Sequence, residues 1–223
     1  AKKAAKYVLD NLNGDDRFNI IAFATSTRQY APELRTGSES QKAHSFINRL
    51  RAGGGTNIGR ALEETLEQTS GNRPQVVIFL TDGLATEGER RTENILKVVE
   101  QLTGEHVRVF AFGVGYDVNT LLLDRLSQEH QGDSSYIRPS ENIERAVSSF
   151  YDKISTPLLA DISVDFGKVQ VEDAFPHPLP DIFAGSQLVI VGRYREGEDT
   201  SLRLKGFVNE EPIYYTFGDV HFR

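Results

Sequence analysis

Two short stretches carry residue types that could do chemistry. Gly53-Gly54-Gly55-Thr56-Asn57-Ile58-Gly59 offers a hydroxyl, Thr56, at the foot of a helical pattern, and Phe79-Leu80-Thr81-Asp82-Gly83 offers a carboxylate, Asp82, at the end of an apolar run. Hydroxyl and carboxylate oxygens are hard ligands. They suit Mg²⁺ or Mn²⁺, which takes about six oxygens and leaves several positions to water or a partner. Gly53, Gly54, Gly55 and Gly83 let the backbone come close and adopt positive φ. Each stretch alone reads more simply as a turn or a helix cap. Together on one sheet edge they point to a metal site, with Asn57, Gly83 and Glu87 as its rim. Thr56 and Asp82 are too few to hold an ion tightly, so further ligands are expected.

Other chemistries lack their residues. The chain has no Cys, which removes thiol catalysis, zinc-thiolate sites and disulfides. His44, His106, His130, His177 and His221 are isolated, with no HExxH spacing. No Lys follows the glycine loop as a P-loop requires, and Gly113-Val114-Gly115 lacks a third glycine at dinucleotide spacing. Ser26, Ser134 and Ser135 have no nucleophile-elbow context. Net charge is −7 with scattered Lys and Arg, so nucleic acid is not an expected partner. The longest apolar run, Val76 to Leu80, is far below the roughly 18 residues that span a bilayer.

The elements that must position Thr56 and Asp82 follow from periodicity. At 223 residues, 39% hydrophobic, the chain can bury a core of one α/β domain and a smaller module. Ala4, Ala5, Val8, Leu9 and Leu12 mark a first helix. Arg17 to Phe23 reads as a strand buried on both faces, Arg28 to Ala31 as a weaker one. Ser38 and Gln41 have the pattern of a capping box before Ala43, Phe46, Ile47 and Leu50. Ile58, Ala61, Leu62, Thr65 and Leu66 form the helix capped by Thr56-Asn57. Gln75 to Thr81 is a central strand, and Glu87 to Glu93 a solvated helix start before Ile95, Val98, Val99 and Leu102. Arg108 to Gly113 is a strand, Leu121 to Leu126 a helix capped by Asn119, Ser135 to Arg138 a strand. Ile143, Ala146, Val147, Phe150 and Ile154 form a last helix closed by Pro157. Such alternation makes a mostly parallel sheet covered on both faces, with ligands at the carboxyl ends of its strands. After Pro157 the period becomes two, from Ile162 to Phe217, which predicts a separate β module. Phe175 to Pro180 is a stiff crossing within it.

In this order, RFNIIAF, GGGTNIG, VVIFLTDG and FAFGVG resemble the von Willebrand factor type A domain over about residues 1–156, a doubly wound, Rossmann-like α/β fold. The resemblance implies a metal ion-dependent adhesion site built from an Asp-x-Ser-x-Ser loop, a Thr and an Asp. Thr56 and Asp82 match the second and third parts, and the first would lie upstream of residue 1. It also implies a missing central strand, leaving a gap between RFNIIAF and VVIFLTDG. Residues 157–223, with SFYDKISTPLLADISVDF at the junction and PLPDIFAGSQLVIVGRY beyond, resemble the segment after the A domain in inter-alpha-trypsin inhibitor heavy chains and bacterial relatives. That implies a VIT domain upstream completing the β module, an extracytoplasmic setting, and a non-enzymatic adhesion role in which a protein partner's Asp or Glu completes the metal. The rival readings are a metal-assisted hydrolase with Glu87 as general base, and a metal-free scaffold.

Overall fold

The alternation of helices and strands expected from periodicity is what the chain adopts. The computed structural model describes residues 1–69, 75–104, 107–154, 157–183, 187–208 and 211–223. They form two units, Ala1–Ser127 with Asp133–Ser149, and Gln128–Gly132 with Phe150–Arg223. Up to residue 154 the order is α1 (Lys2–Asp10), β1 (Arg17–Phe18), β2 (Ile21–Phe23), β3 (Thr27–Gln29), β4 (Arg35–Thr36), α2 (Ser40–Arg49), α3 (Ile58–Leu66), β5 (Gln75–Thr81), α4 (Thr92–Leu102), β6 (Val107–Val114), α5 (Thr120–Gln128), β7 (Ser134–Ile137) and α6 (Ile143–Ile154).

Strands β5, β6 and β7 form a parallel sheet in that order, with Thr81 opposite Gly113 and Gly113 opposite Tyr136. β6 is buried from Val107 through Gly113 because it has a strand on each side and cover on each face. One face packs Val77, Phe79, Val109 and Ala111 against Leu62 and Leu66 of α3, Ile95 and Val99 of α4, and Leu123 and Leu126 of α5. The i, i+3, i+4 stripes of these helices are what make that burial possible. A second cluster joins Leu9 of α1 to Phe18 and to Ala43, Phe46 and Ile47 of α2.

The run from Arg17 to Phe23 is not one strand. Asn19 interrupts it: its Oδ1 accepts from the amides of Ile20 (2.8 Å) and Ala31 (3.2 Å), and its Nδ2 donates to Ala31 O (2.7 Å) and Gln68 Oε1 (2.6 Å). Side chain-to-backbone bonds of this kind replace the ladder locally. Nor is the run buried on both faces, since Ile21, Ala22 and Phe23 are each half-buried. β2 pairs with β3 alone, and among the described residues no strand lies between β2 and β5. Only side chains bridge the two ladders, where the rings of Phe23 and Phe79 stack at 5.3 Å. The capping box before α2 does not form either. Ser38 Oγ bonds Thr36 Oγ1 at 2.8 Å and Gln41 Nε2 donates to Asp10 Oδ1 at 3.0 Å, so both side chains are engaged elsewhere. Glu87 to Arg91 is loop rather than helix, as α4 starts at Thr92.

The second unit is all β beyond α6: β8 (Pro157–Asp165), β9 (Val171–Phe175), β10 (Ile182–Phe183), β11 (Val191–Tyr194), β12 (Asp199–Val208) and β13 (Glu211–His221). An antiparallel sheet runs β10-β8-β12-β13, and β9 pairs with β11. Leu204 stands between Val164 and Tyr215, with Leu202 beside Phe217. Leu159 lies over Gly206, where a Cβ would sit 2.3 Å from its Cγ.

Candidate functional site

The site is built from three loops at the carboxyl edge of the parallel sheet. β5 ends in a turn in which Thr81 Oγ1 donates to Gly83 O at 3.1 Å, and this leaves the Asp82 side chain in solvent. The glycine loop arrives from α2 and is pinned at successive residues. Gly54 sits at φ +88°, where a side chain would be strained and its Cβ would meet Thr25 Oγ1 at 2.9 Å. The Gly55 amide donates to Thr25 Oγ1 (2.8 Å), the Thr56 amide to Thr86 Oγ1 (2.8 Å), and the Asn57 amide to Ala24 O (2.9 Å). Thr56 O accepts from the amides of Thr86 (2.9 Å) and Glu87 (3.2 Å).

The backbone of Thr56 is thus engaged at both its N–H and its C=O, whereas its hydroxyl makes no hydrogen bond among the described residues. That hydroxyl lies 3.7 Å from where a Cβ on Gly83 would stand, so it faces the Asp82-Gly83 turn. Asp82 has no ion-pair or hydrogen-bond partner among the described residues. The start of α1 reaches the same edge: burial lowers the pKa of the Ala1 amino group, and the Asp82 and Glu144 carboxylates raise it in opposition. Two unengaged hard oxygens at one edge fit part of the shell of a hard cation. They are not a whole shell, and no group of three or more His, Asp or Glu gathers among the described residues to supply one.

The expected rim residues have distinct settings. Asn57 caps α3, its Oδ1 accepting from the Arg60 amide at 3.1 Å, and packs against Gly88, where a Cβ would fall 2.6 Å from that oxygen. Glu87 is half-buried and lies over Gly55, where a Cβ would be 2.4 Å from Glu87 Cγ. Gly83 is half-buried in the turn. Sequence reasoning missed Thr25, Thr86 and Ala24, which hold the glycine loop; the one available signal was a Thr just past each of two strand ends. Of the histidines, His44 Nε2 lies 3.0 Å from Asp10 Oδ1 and His221 Nδ1 2.6 Å from Asp199 Oδ1, while His106 lies outside the described residues.

At the far side of the same edge, Tyr136 donates to Thr120 O (3.0 Å) and Asp124 Oδ1 (2.5 Å), and Ser134 Oγ donates to the same Asp124 oxygen at 2.5 Å. Burial, reinforced by the Asp124 hydrogen bond, pushes the Tyr136 hydroxyl up to about 12, so it remains a neutral donor.

Residues 1–151 match the model of the von Willebrand factor type A domain. The chain belongs to that family. Beyond the A domain itself, similar proteins include inter-alpha-trypsin inhibitor heavy chain H2 of Sus scrofa, 29% identical over 86% of this chain, and heavy chain H6 of Homo sapiens, 30% identical over 88%. The chain spans 22% and 16% of those proteins' lengths. Among solved structures, a von Willebrand factor type A protein from Catenulispora acidiphila shares the fold with a TM-score of 0.70, at 18% identity, covering 99% of this chain and 60% of that one. Proximal thread matrix protein 1 of the mussel byssus, solved with a zinc-occupied MIDAS motif, covers 74% of this chain at 17% identity, with a TM-score of 0.52 and 43% of its own length aligned. No helix of the described residues is long and apolar enough to cross a membrane.

Proposed function

We propose that this segment is the larger part of a metal-dependent protein-binding module, acting by adhesion rather than catalysis. The observation that carries the reading is the Thr56 hydroxyl, left without a hydrogen bond and turned toward the exposed Asp82 turn in an A domain. Mg²⁺ or Mn²⁺ is the hard cation such oxygens suit, with Thr56 a direct ligand and Asp82 a direct or water-mediated one. An Asp-x-Ser-x-Ser loop upstream of residue 1 supplies the remaining protein ligands, and a partner's Asp or Glu takes the open position. The cation removes the repulsion between two close carboxylates, which amounts to several kcal/mol at low dielectric. The zinc-occupied site of the mussel protein supports this, since the same fold there holds a divalent ion.

In this reading the A domain occupies residues 1–156 and an accessory β module residues 157–223, whose large exposed side chains Phe175, Val191 and Phe217 await the rest of a sandwich that an upstream VIT domain completes. Residues 155 and 156, where the boundary falls, lie outside the described residues. The setting is extracytoplasmic.

Calorimetric titration with Mg²⁺ and Mn²⁺ tests this on the 223-residue chain and on a polypeptide extended upstream. The extended chain is expected to bind and its Asp82→Ala variant to lose all binding with an unchanged circular dichroism spectrum. Thr56→Ala weakens binding by about tenfold, as for one ligand among several. An Asp82→Ala protein that still binds the ion would overturn the reading.

A further inference from the structure

The carboxyl edge holds more than the two metal-facing oxygens. Leu84, Tyr116, Leu121 and Tyr136 are 51%, 80%, 57% and 40% exposed, and all stand on this edge. Leu84 follows the β5 turn, Tyr116 lies two residues beyond the end of β6, Leu121 is in the first turn of α5, and Tyr136 is in the last turn of the ladder at β7. Because Thr81, Gly113 and Tyr136 are opposite one another in the sheet, these residues form a row that starts beside Asp82 and crosses the strand ends. The far end of the row is fixed. The Tyr136 hydroxyl is tied to α5 through Thr120 O and Asp124, and its ring lies so close over Gly113 that a Cβ there would be 2.8 Å from Cδ1.

We infer that this row is the specificity-determining part of the binding face, and that it takes an extended peptide segment whose acidic residue is followed or preceded, about three residues away, by a large aliphatic or aromatic one. The inference rests on the metal-dependent reading above, which requires the partner to bring a carboxylate to Asp82 and Thr56. That requirement fixes one end of the ligand and so determines what else it must cross. Neighbouring strands lie about 4.8 Å apart, so the path from β5 to β7 is about 10 Å. An extended chain advances about 3.3 Å per residue, which gives three residues between the carboxylate and the side chain that meets Tyr116, Leu121 and Tyr136. A free carboxylate on a small molecule fills the metal position but leaves the row bare, so the row selects polypeptide.

The test uses synthetic peptides of about ten residues, glycine except for one Asp and one Leu, with separations from one to six in both orders. They are immobilised and probed with the full polypeptide in Mg²⁺. Binding is expected to peak with Leu about three positions from Asp, roughly tenfold above the adjacent placement, the worth of covering one leucine side chain. In the Tyr116→Ser/Leu121→Ser protein the peak disappears, while Mg²⁺ affinity and the preference for Asp over Asn stay as in the parent. Binding that depends on Asp but not on the Leu position, or a double variant with the same spacing profile, overturns the inference and leaves the metal reading standing. Equal binding of Asp and Asn peptides overturns both.

Discussion

The Thr56 side chain is available because its backbone is not. Three neighbouring segments take its N–H and C=O, and the one remaining polar group, the hydroxyl, is left facing Asp82 and Gly83. This makes Thr86 a positioning residue. Thr86→Val removes the acceptor of the Thr56 amide and is expected to cost about 1 kcal/mol of stability. It should also weaken ion binding by the extended chain several-fold, although Thr86 itself touches no ion; calorimetry beside thermal melts separates the two effects. Tyr136 gives a spectroscopic handle at the other end of the edge. Its folded pKa is raised, so the stability it contributes is complete below the ordinary tyrosine value near 10 and is lost as pH climbs toward about 12. In a 295 nm titration, one tyrosine should ionise well after the exposed ones, and Tyr136→Phe should abolish that late step. Thr56 and Asp82 were legible in the sequence because glycines bracket them. Thr25 and Thr86 were not, since what gives them a role is contact with residues thirty positions away.

At the scale of elements, α3 is the part that aims Thr56, and two forces hold it. Ile58, Leu62 and Leu66 are each 1–2% exposed in the core, so Leu62→Ala is expected to cost about 3 kcal/mol, read by denaturant unfolding. Glu64 anchors the outer side of the helix to β3, accepting from Thr27 Oγ1 (2.8 Å), Gln29 Nε2 (3.1 Å) and Arg60 Nε (2.6 Å). Burial pushes its carboxyl up, but those three hydrogen bonds outweigh it and hold the pKa below the ordinary glutamate value. A depressed folded pKa means stability that is present above the unfolded value and lost as pH falls through the folded one. Melting temperatures taken from pH 6 down to pH 3 should therefore fall less steeply for Glu64→Gln than for the parent. The apolar helix stripes and the runs VVIFLT and RVFAF were readable because burial on one or both faces leaves a period. The break at Asn19 was not, because an asparagine reads as a strand residue or a turn residue according to whether Ala31 and Gln68 come within reach of it. The capping box failed for the same reason, when Asp10 on a different helix took the Gln41 amide.

In the molecule as a whole, the parallel sheet is supported unevenly. β6 is paired on both sides, whereas β5 is paired with β6 alone and leaves Val76 48% exposed. Hydrogen exchange should follow that difference, with the amides of Phe110 to Phe112 protected longer than those of Val76 to Leu80; equal protection would mean that β5 has a partner on its other edge in solution. The lacing of the three loops has a further consequence for how the protein comes into being. Ala24 and Thr25, Gly55 to Asn57, and Thr86 with Glu87 are each about thirty residues apart along the chain, and none of the three loops can hold its shape without the others. Bringing such distant segments together carries a loop-closure cost that local helices do not, so these contacts belong late in folding. A partly folded or newly made chain therefore has helices before it has a binding face, and it cannot capture a partner prematurely. Adhesion by this domain doubles as a report that folding is complete.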